Sequence, residues 1–595
     1  MSLSLPTELT ASAWRRAGHD LMAKMLAELS YEQLLDPVPT GEHSYRVEVG
    51  GGVDYTFRAR RGAFGAWRVE PSSVQRHRAD GRQEVGGRQA EGTDPLQFVL
   101  DAREKLGLSG DTAGHLVREL SATLSADARL LAGQRTAAEL AELPYAELEG
   151  HQTGHPWLIP NKGRLGLSAS DVARYVPEAR RPLRLPWMAV HHSLAGYRGV
   201  EGLDPQRLLA EELDGPTRER FAAELGGRGG EFHWLPVHPW QWDEVVVPVF
   251  AAEVAAGRIV PLGEGPDRYL AQQSIRTFSN IDTPARRHVK LPLSILNTLV
   301  WRGLPTERTL AAPAVTSWIL GLAERDGFLR EQTRVVLLGE VASVTVNHPV
   351  LERIPGVPYQ YLELLGAIWR ESITTKLDPQ EKARTLACLL QVDSEGRPLV
   401  AELVARSGRS PREWLQRLFG ALLPPLLHFL YRYGVVFSPH GENAIVVFDA
   451  DDVPTRLAVK DFVDDVNVSD AALPERRDMP PDVAEVLLTE PPEMLCQFIQ
   501  SGLFIGHFRY LGDIVETHLR VSETEFWAMV RDEILAYQQR FPELTERFAL
   551  FDLLAPDLQR LCLNRNRLLL DGYRDRPERP HAAVHGRVPN PLYRH

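Results

Sequence analysis

The segment Ser438-Pro439-His440-Gly441-Glu442-Asn443 leads into an alternating run, NAIVVFDADDVPTRLAVKDF, that closes on Lys460-Asp461-Phe462. Apolar residues alternate on both sides of an Asp-rich turn, so the run predicts a β-hairpin centred on Asp452. That centring sets Asn443 opposite Asp461 at the open end, with His440 and Glu442 close by. An amide beside a carboxylate suits a divalent cation on nucleotide phosphates. Mg²⁺ takes one or two hard oxygen ligands and leaves the rest to phosphate and water. Protein kinases hold their metal with a comparable Asn and Asp. The competing reading is a polar loop capping an ordinary hairpin; four polar groups converging on one hairpin end favour function.

A second group comprises Ser274-Ile275-Arg276-Thr277, Lys290, Thr298 and Arg302. In an extended segment Ser274 and Arg276 point the same way. Residues 293–302 read as a helix, which puts Thr298 and Arg302 on one face with Ser294 a turn earlier. Two guanidinium groups, an ammonium and several hydroxyls make an anion site, although Lys290 or Arg302 taken singly reads as a surface cation. A third group, Gly154-His155-Pro156 with Lys162, Gly163 and Arg164, combines close backbone approach with groups that meet phosphate oxygens. A surface turn explains that loop equally well. The aromatic corner VHPWQW (237–242) reads as structural, and His191-His192 and His507 as packing or surface residues.

The elements that must position these groups read as mixed. Residues 12–36 carry apolar positions at helical spacing, and a small antiparallel meander follows around Gly50-Gly51-Gly52. Residues 94–148 are helical with a break near Gly107–Gly114. Strand-like runs lie at 268–278, 287–293 and 334–346, and helices are expected at 359–374, 379–391, 411–433 and from 480 to 572, with a surface arm from Arg574. The class is α+β, without the βαβ rhythm of a doubly wound sheet.

With 595 residues, 44% hydrophobic and 25% charged, the chain is long enough for several domains and has globular composition. Its net charge of −12 argues against a general nucleic-acid binder. Three scattered cysteines make neither a disulfide framework nor a zinc knuckle. The opening MSLSLPTELTASAW lacks a basic stretch followed by an apolar one, and the most apolar stretch contains Pro424, Pro425, His428 and Arg432. A cytoplasmic protein with neither membrane nor nucleic-acid partner is expected. P-loop, HExxH, GxSxG and CxxC motifs are absent from the sequence.

In order along the chain, GHPWLIPNKGRLGLS (154–168), VHPWQW, SIRT (274–277), VKLPLSILNTLVWR (289–302) and HGENAIVVF with VKDF (440–462) resemble the NRPS-independent siderophore synthetases of the aerobactin-synthetase type. The resemblance implies a cupped hand: an N-terminal thumb (1–150), an ATP-binding fingers domain (151–347) and a distantly kinase-like palm (348–595) bearing the metal-site hairpin. It implies adenylation of a carboxylate, citrate or a citryl derivative foremost, and acyl transfer to an amine or hydroxylamine with release of AMP and pyrophosphate. On this resemblance His155, Ser274, Arg276, Thr277, Lys290 and Asn443 contact ATP, with Lys162 and Arg164 nearby. Thr298, Arg302, His440 and Glu442 hold the carboxylic acid, and Asp461 and Asn443 the Mg²⁺. His440, Arg302 and Lys290 are the catalytic set. The amine pocket is expected in the palm near Arg565 and Arg567, and the family's habit makes a homodimer the expectation. Many citrate-using relatives carry an acid where Ser438 stands, Gln at Glu442 and Arg at Lys460, departures that bear on acyl and amine specificity. A succinyl-hydroxamate or 2-oxoglutarate is the alternative acid. A small-molecule phosphotransferase using the same metal residues is the alternative of another class.

Overall fold

The computed structural model describes residues 6–78, 94–570, 572–579 and 582–593. The helix Ala11–Tyr31 starts at Thr10, whose hydroxyl accepts from the Ala13 amide at 3.2 Å. Leu21, Met22, Met25, Leu26 and Leu29 recur at helical spacing and pack against the helix Gly110–Ala132 and a five-stranded sheet built from residues 38–78. The expected meander is present, turning between Ser44–Gly50 and Val53–Arg61 through Gly50, Gly51 and Gly52, all at positive φ.

The centre is an eight-stranded antiparallel sheet ordered Ala195–Gly199, Glu340–Val346, Leu365–Arg370, His288–Lys290, Thr277–Asn280, Ile259–Ala271, Leu183–His191 and Phe232–Pro236. A four-stranded sheet lies beside it, ordered Val336–Leu337, Pro454–Val459, Ala444–Phe448 and Lys382–Thr385. The chain passes from the small sheet at Leu337 to the large one at Glu340. This short crossing joins the two sheets where the polar segments meet. Behind the small sheet the helix Pro411–His428, opened by a Ser410–Glu413 capping box, packs on the helix Glu523–Arg540. Mixed helix and antiparallel sheet agree with the α+β expectation.

Four local expectations are corrected. Residues 293–302 form the strands Leu293–Asn297 and Val300–Arg302, turning at Thr298 (φ +58°). Leu296 pairs with Leu165, so tertiary pairing overrides the helical spacing. Residues 359–374 and 379–391 are not long helices: they contain the strands Leu365–Arg370 and Lys382–Thr385, each with paired neighbours on sheet edges or in sheet interiors. Asp452 (φ +59°) lies in the turn as expected, but the pairing beside the turn, Phe448 with Pro454, is centred on Asp451, and the irregularity between Val447 and Phe448 carries it only as far as the Ala444–Val459 register. Asn443 therefore faces Lys460, whose amide donates to the Asn443 carbonyl at 3.2 Å, and Asp461 stands one residue farther on. In the C-terminal region Asp557–Cys562 is a strand within the expected helical stretch, and Ala583–Pro589 pairs with it, so the tail is no free arm.

Buried ion pairs tie the N-terminal region to the C-terminal helices. Arg509 meets Glu28 at 2.9 Å, and Arg567 forks onto Glu119. Glu32 accepts from the backbone amides of Asn564 and Arg565 at 2.9 and 2.7 Å. Arg565 and Arg567, expected near an amine, are thus engaged in joining the two ends of the chain.

Candidate active site

The SIRT segment is a turn between the strands Ile259–Ala271 and Thr277–Asn280, with Ile275 at φ +60°. A β-branched residue held there is strained, and its neighbours Ser274 and Arg276 are aimed by it. The Ser274 hydroxyl accepts from the Thr277 amide at 3.2 Å. Thr277 lies opposite Lys290 across the adjoining strands. Arg276 donates to the Gly303 carbonyl and meets Asp464 at 3.3 Å. Gly303 also lets Glu363 pack against it, since a Cβ there would fall 2.3 Å from the Glu363 Cβ.

Lys290 is the hub. It is 2% exposed, and its Nζ lies 2.7 Å from Asp461, 2.9 Å from Asp464 and 3.5 Å from Glu340. Burial alone would lower its pKa, but the three carboxylates outweigh burial and hold the ammonium above its ordinary range. Burial likewise works to raise Asp461 and Asp464; Lys290 with Arg370 and Arg276 instead keeps both well below the usual carboxylate range. Asp465 has no cation within ion-pair distance among the described residues, and burial beside Asp461 and Asp464 pushes it up to about 8. Asn443 Nδ2 donates to Asp465 at 2.6 Å. Asp461 sits at φ +69° and caps the short helix Phe462–Asp465, which turns all three aspartates toward Lys290 and Asn443. The site therefore holds a surplus of carboxylate oxygens together with the Asn443 Oδ1, whose amide nitrogen is taken up by Asp465, a donor set that fits a hard divalent cation.

His440 and Arg302 form the adjacent wall. His440 Nδ1 accepts from the Glu442 amide at 3.2 Å, which leaves the ring proton on Nε2. Gly441 is needed here, since a Cβ would lie 3.0–3.3 Å from Ala387, whose amide donates to the Gly441 carbonyl at 2.8 Å. Arg302 reaches in from the hairpin and donates to Thr298 Oγ1. The two residues thus meet across a β-turn and not along a helix. Gln241 clamps that hairpin, donating to Ser294 Oγ at 2.9 Å and accepting from the Ser294 amide at 2.8 Å, which gives the VHPWQW corner its expected structural role. Burial, then Arg276, lowers the Arg302 pKa to about 10, and its Nε is buried without a partner among the described residues. His155 Nδ1 accepts from the Trp157 and Leu158 amides at 3.2 and 3.1 Å; burial, with Lys24, His440 and Arg302 nearby, lowers it to about 3. His155, His440 and Arg302 thus share one field.

Lys162 and Arg164 stand apart. Arg164 forks onto buried Glu178 at 2.8 and 2.9 Å, and Lys162 meets Glu178 at 3.2 Å and Asp127 at 3.7 Å. Asp464, Asp465, Glu340, Arg370 and Arg579 were not singled out from the sequence. Asp464 and Asp465 follow Asp461 at helical spacing and were readable. Arg370 (3.4 Å from Asp461) and Arg579, held by Glu363 at 3.0 Å, come from segments expected to be helix and surface arm.

A cluster of cations against carboxylates, beside an arginine with no ion-pair partner among the described residues, is an arrangement able to receive anions. The chain belongs to the NRPS-independent siderophore synthetases, the amide-forming ligases of siderophore biosynthesis. The IucA / IucC family model matches residues 144–391, and the model described as ferric iron reductase FhuF-like transporter matches 412–576. The rhizobactin siderophore biosynthesis protein RhbF of Rhizobium meliloti is 42% identical, covering 99% of this chain and 97% of its own. Aerobactin synthetase IucC from Klebsiella pneumoniae has a solved structure with TM-score 0.85 and 31% identity, over 98% of each chain. ATP-bound aerobactin synthetase IucA from the same organism shares the fold at TM-score 0.77 and 19% identity, over 97% of this chain and 99% of that one. Among the described residues no helix is long and apolar enough to cross a membrane.

Proposed function

We propose that the chain uses ATP to adenylate a carboxylic acid, citrate or a citryl derivative foremost, and joins the acyl group to an amine or hydroxylamine. The observation that carries this is the convergence of Lys290, Arg276 and Arg302 on the carboxylate-lined end of the hairpin. A carboxylate oxygen attacks the α-phosphorus, the bond to the bridging oxygen breaks, and pyrophosphate leaves with the electron pair. Two anions must meet for this, so the cations are needed where charge accumulates. The amine nitrogen then attacks the acyl carbon, AMP departs and the nitrogen loses a proton. His440, its proton held on Nε2, supports the acyl-adenylate electrostatically.

Asp461 and the Asn443 amide oxygen are the residues that would hold Mg²⁺, which when bound neutralises phosphate charge. Ser274 and Thr277 line the phosphate side, and Thr298 and Glu442 the acid side. The four-stranded sheet with Asn443 and Asp461 at its end supports a kinase-like palm in a three-part hand. The ATP-bound relative of the same fold supports nucleotide use. The test is product analysis with ATP, Mg²⁺ and a panel of citrate, succinyl-hydroxamates and 2-oxoglutarate, trapping activated acid with hydroxylamine. Acid-dependent hydroxamate with AMP and pyrophosphate is the expected result; ADP without pyrophosphate would instead establish a phosphotransferase.

A further inference from the structure

The SIRT turn is gripped from outside by Glu149. This residue stands where the helix Tyr145–Leu148 passes into the short turn Glu149–His151, and it is 1% exposed. Its carboxylate Oε2 accepts from the Gln273 backbone amide at 2.7 Å, and its own carbonyl accepts from Gln273 Nε2 at 2.5 Å. Gln273 is thus held by main chain and side chain together, immediately before Ser274. The turn needs such a hold. Ile275 sits at φ +60°, a conformation that a β-branched residue keeps only where its surroundings impose it. Within the turn, the Ile275 amide donates to the Gln272 carbonyl at 2.8 Å and the Gln272 amide to the Thr277 carbonyl at 2.9 Å. Those bonds close the turn on itself; Glu149 ties it to the rest of the molecule.

The same segment reaches the other half of the site. Glu149 Oε1 lies 3.9 Å from Nζ of Lys460, which is 3% exposed and adjoins Asp461 in the chain. Burial works to raise the Glu149 pKa, and Lys460 works against it. Gln152 Nε2 donates to Thr385 Oγ1 at 2.6 Å, on the edge strand of the four-stranded sheet. Residues 149–152 therefore span from the turn of the large sheet to the small sheet. A carboxylate buried this deeply is costly to desolvate, a cost that an apolar side chain would avoid. What the carboxylate supplies is a charge-assisted hydrogen bond to the amide of the turn.

We propose that Glu149 is a positioning residue of the site: by holding Gln273 it sets Ser274 and Arg276 toward the nucleotide phosphates. This rests on the ATP-using ligase reading above and adds to it a residue that acts through the SIRT turn without touching substrate.

The experiment compares Glu149→Leu, which removes the acceptor, with Glu149→Gln, whose amide oxygen can still accept from Gln273. ATP affinity is read by calorimetric titration with no acid present, and the KM for ATP and for the acid by pyrophosphate release. Glu149→Leu is expected to weaken ATP binding and raise the KM for ATP about ten- to a hundredfold, the loss of one hydrogen bond to a charged group, with the KM for the acid within about threefold of wild type. Glu149→Gln should return ATP binding to within about threefold of wild type. A general loosening of the fold would instead move both KM values and leave glutamine no better than leucine. Where Glu149→Leu does not fold, Gln273→Met, at a half-buried position, removes the side-chain half of the hold; it should raise the KM for ATP about three- to tenfold and spare that for the acid. Wild-type ATP affinity in the folded variant, matching losses for ATP and acid, or a glutamine variant as defective as the leucine one would each overturn the assignment. Wild-type protein that binds ATP but forms no hydroxamate with any acid would sink the ligase reading itself, while the Glu149 comparison is still decided by ATP binding.

Discussion

Arg302→Ala is the substitution that separates chemistry from folding most cleanly. Most buried cations of this protein are paired, so their removal would leave a carboxylate stranded. Arg302 is different: it has no carboxylate within ion-pair distance among the described residues, donates only to Thr298, and keeps a buried Nε without a partner. Its pKa is lowered to about 10 by burial and by Arg276, so holding it charged at neutral pH opposes folding. Replacement by alanine should therefore change stability by about 1 kcal/mol or less. Its planar fork is free for an incoming carboxylate. Two charge-assisted hydrogen bonds at about 1.5–3 kcal/mol each put the loss near 3–6 kcal/mol, a fall in kcat/KM for the acid of roughly 10²- to 10⁴-fold. The assay is acid-dependent pyrophosphate release, with the thermal transition measured alongside. Arg302→Lys should recover part of the activity, since it restores charge but not the fork. A folded Arg302→Ala enzyme releasing pyrophosphate within about threefold of wild type, by the same transition-state arithmetic, would refute the reasoning.

Arg164→Met should destabilise the protein by about 3–5 kcal/mol, because it leaves buried Glu178 with only Lys162; denaturant unfolding reads this directly. Gly441→Ala should cost about 1–3 kcal/mol and reduce pyrophosphate release, since its Cβ would push Ala387 away from the strand beside Asn443; melting and turnover measured together check it. His238 and His507 are buried and lowered by burial to about 3, below their unfolded value of about 6.5. Between these values the unfolded chain binds more protons, so stability should fall as pH drops from about 6.5 toward 3. Each histidine contributes up to about 1.4 kcal/mol per pH unit, and His507→Gln should flatten that limb of the stability curve.

What was legible in the sequence was local. Alternation around an Asp-rich turn gave the hairpin, and short-range spacing gave the helices Ala11–Tyr31 and Pro411–His428. The residue types at 274–302 and 440–461 announced an anion site. Pairing partners were not legible. Residues 293–302 satisfy a helical spacing, yet Leu296 pairs with Leu165 and the segment becomes a hairpin. Thr298 and Arg302 meet in either conformation, so the right pair came from a wrong element. The turn is centred on Asp451 with one irregularity beyond it, so Asn443 faces Lys460 and not Asp461; strand register depends on a turn geometry that composition does not specify.

By itself the sequence determined the inventory: which cations, carboxylates and hydroxyls exist, and the family whose motifs they form. Only the tertiary structure decided their partners. It set Lys290 among Asp461, Asp464 and Glu340, bound Lys162 and Arg164 to Glu178, and brought Arg370 and Arg579 in from distant segments. The reason is physical. A buried charge takes its worth from the charges within a few ångströms of it, and for Lys290 two of those, Asp461 and Asp464, come from 171 and 174 residues away, joined by sheet pairing that spacing along one chain does not encode.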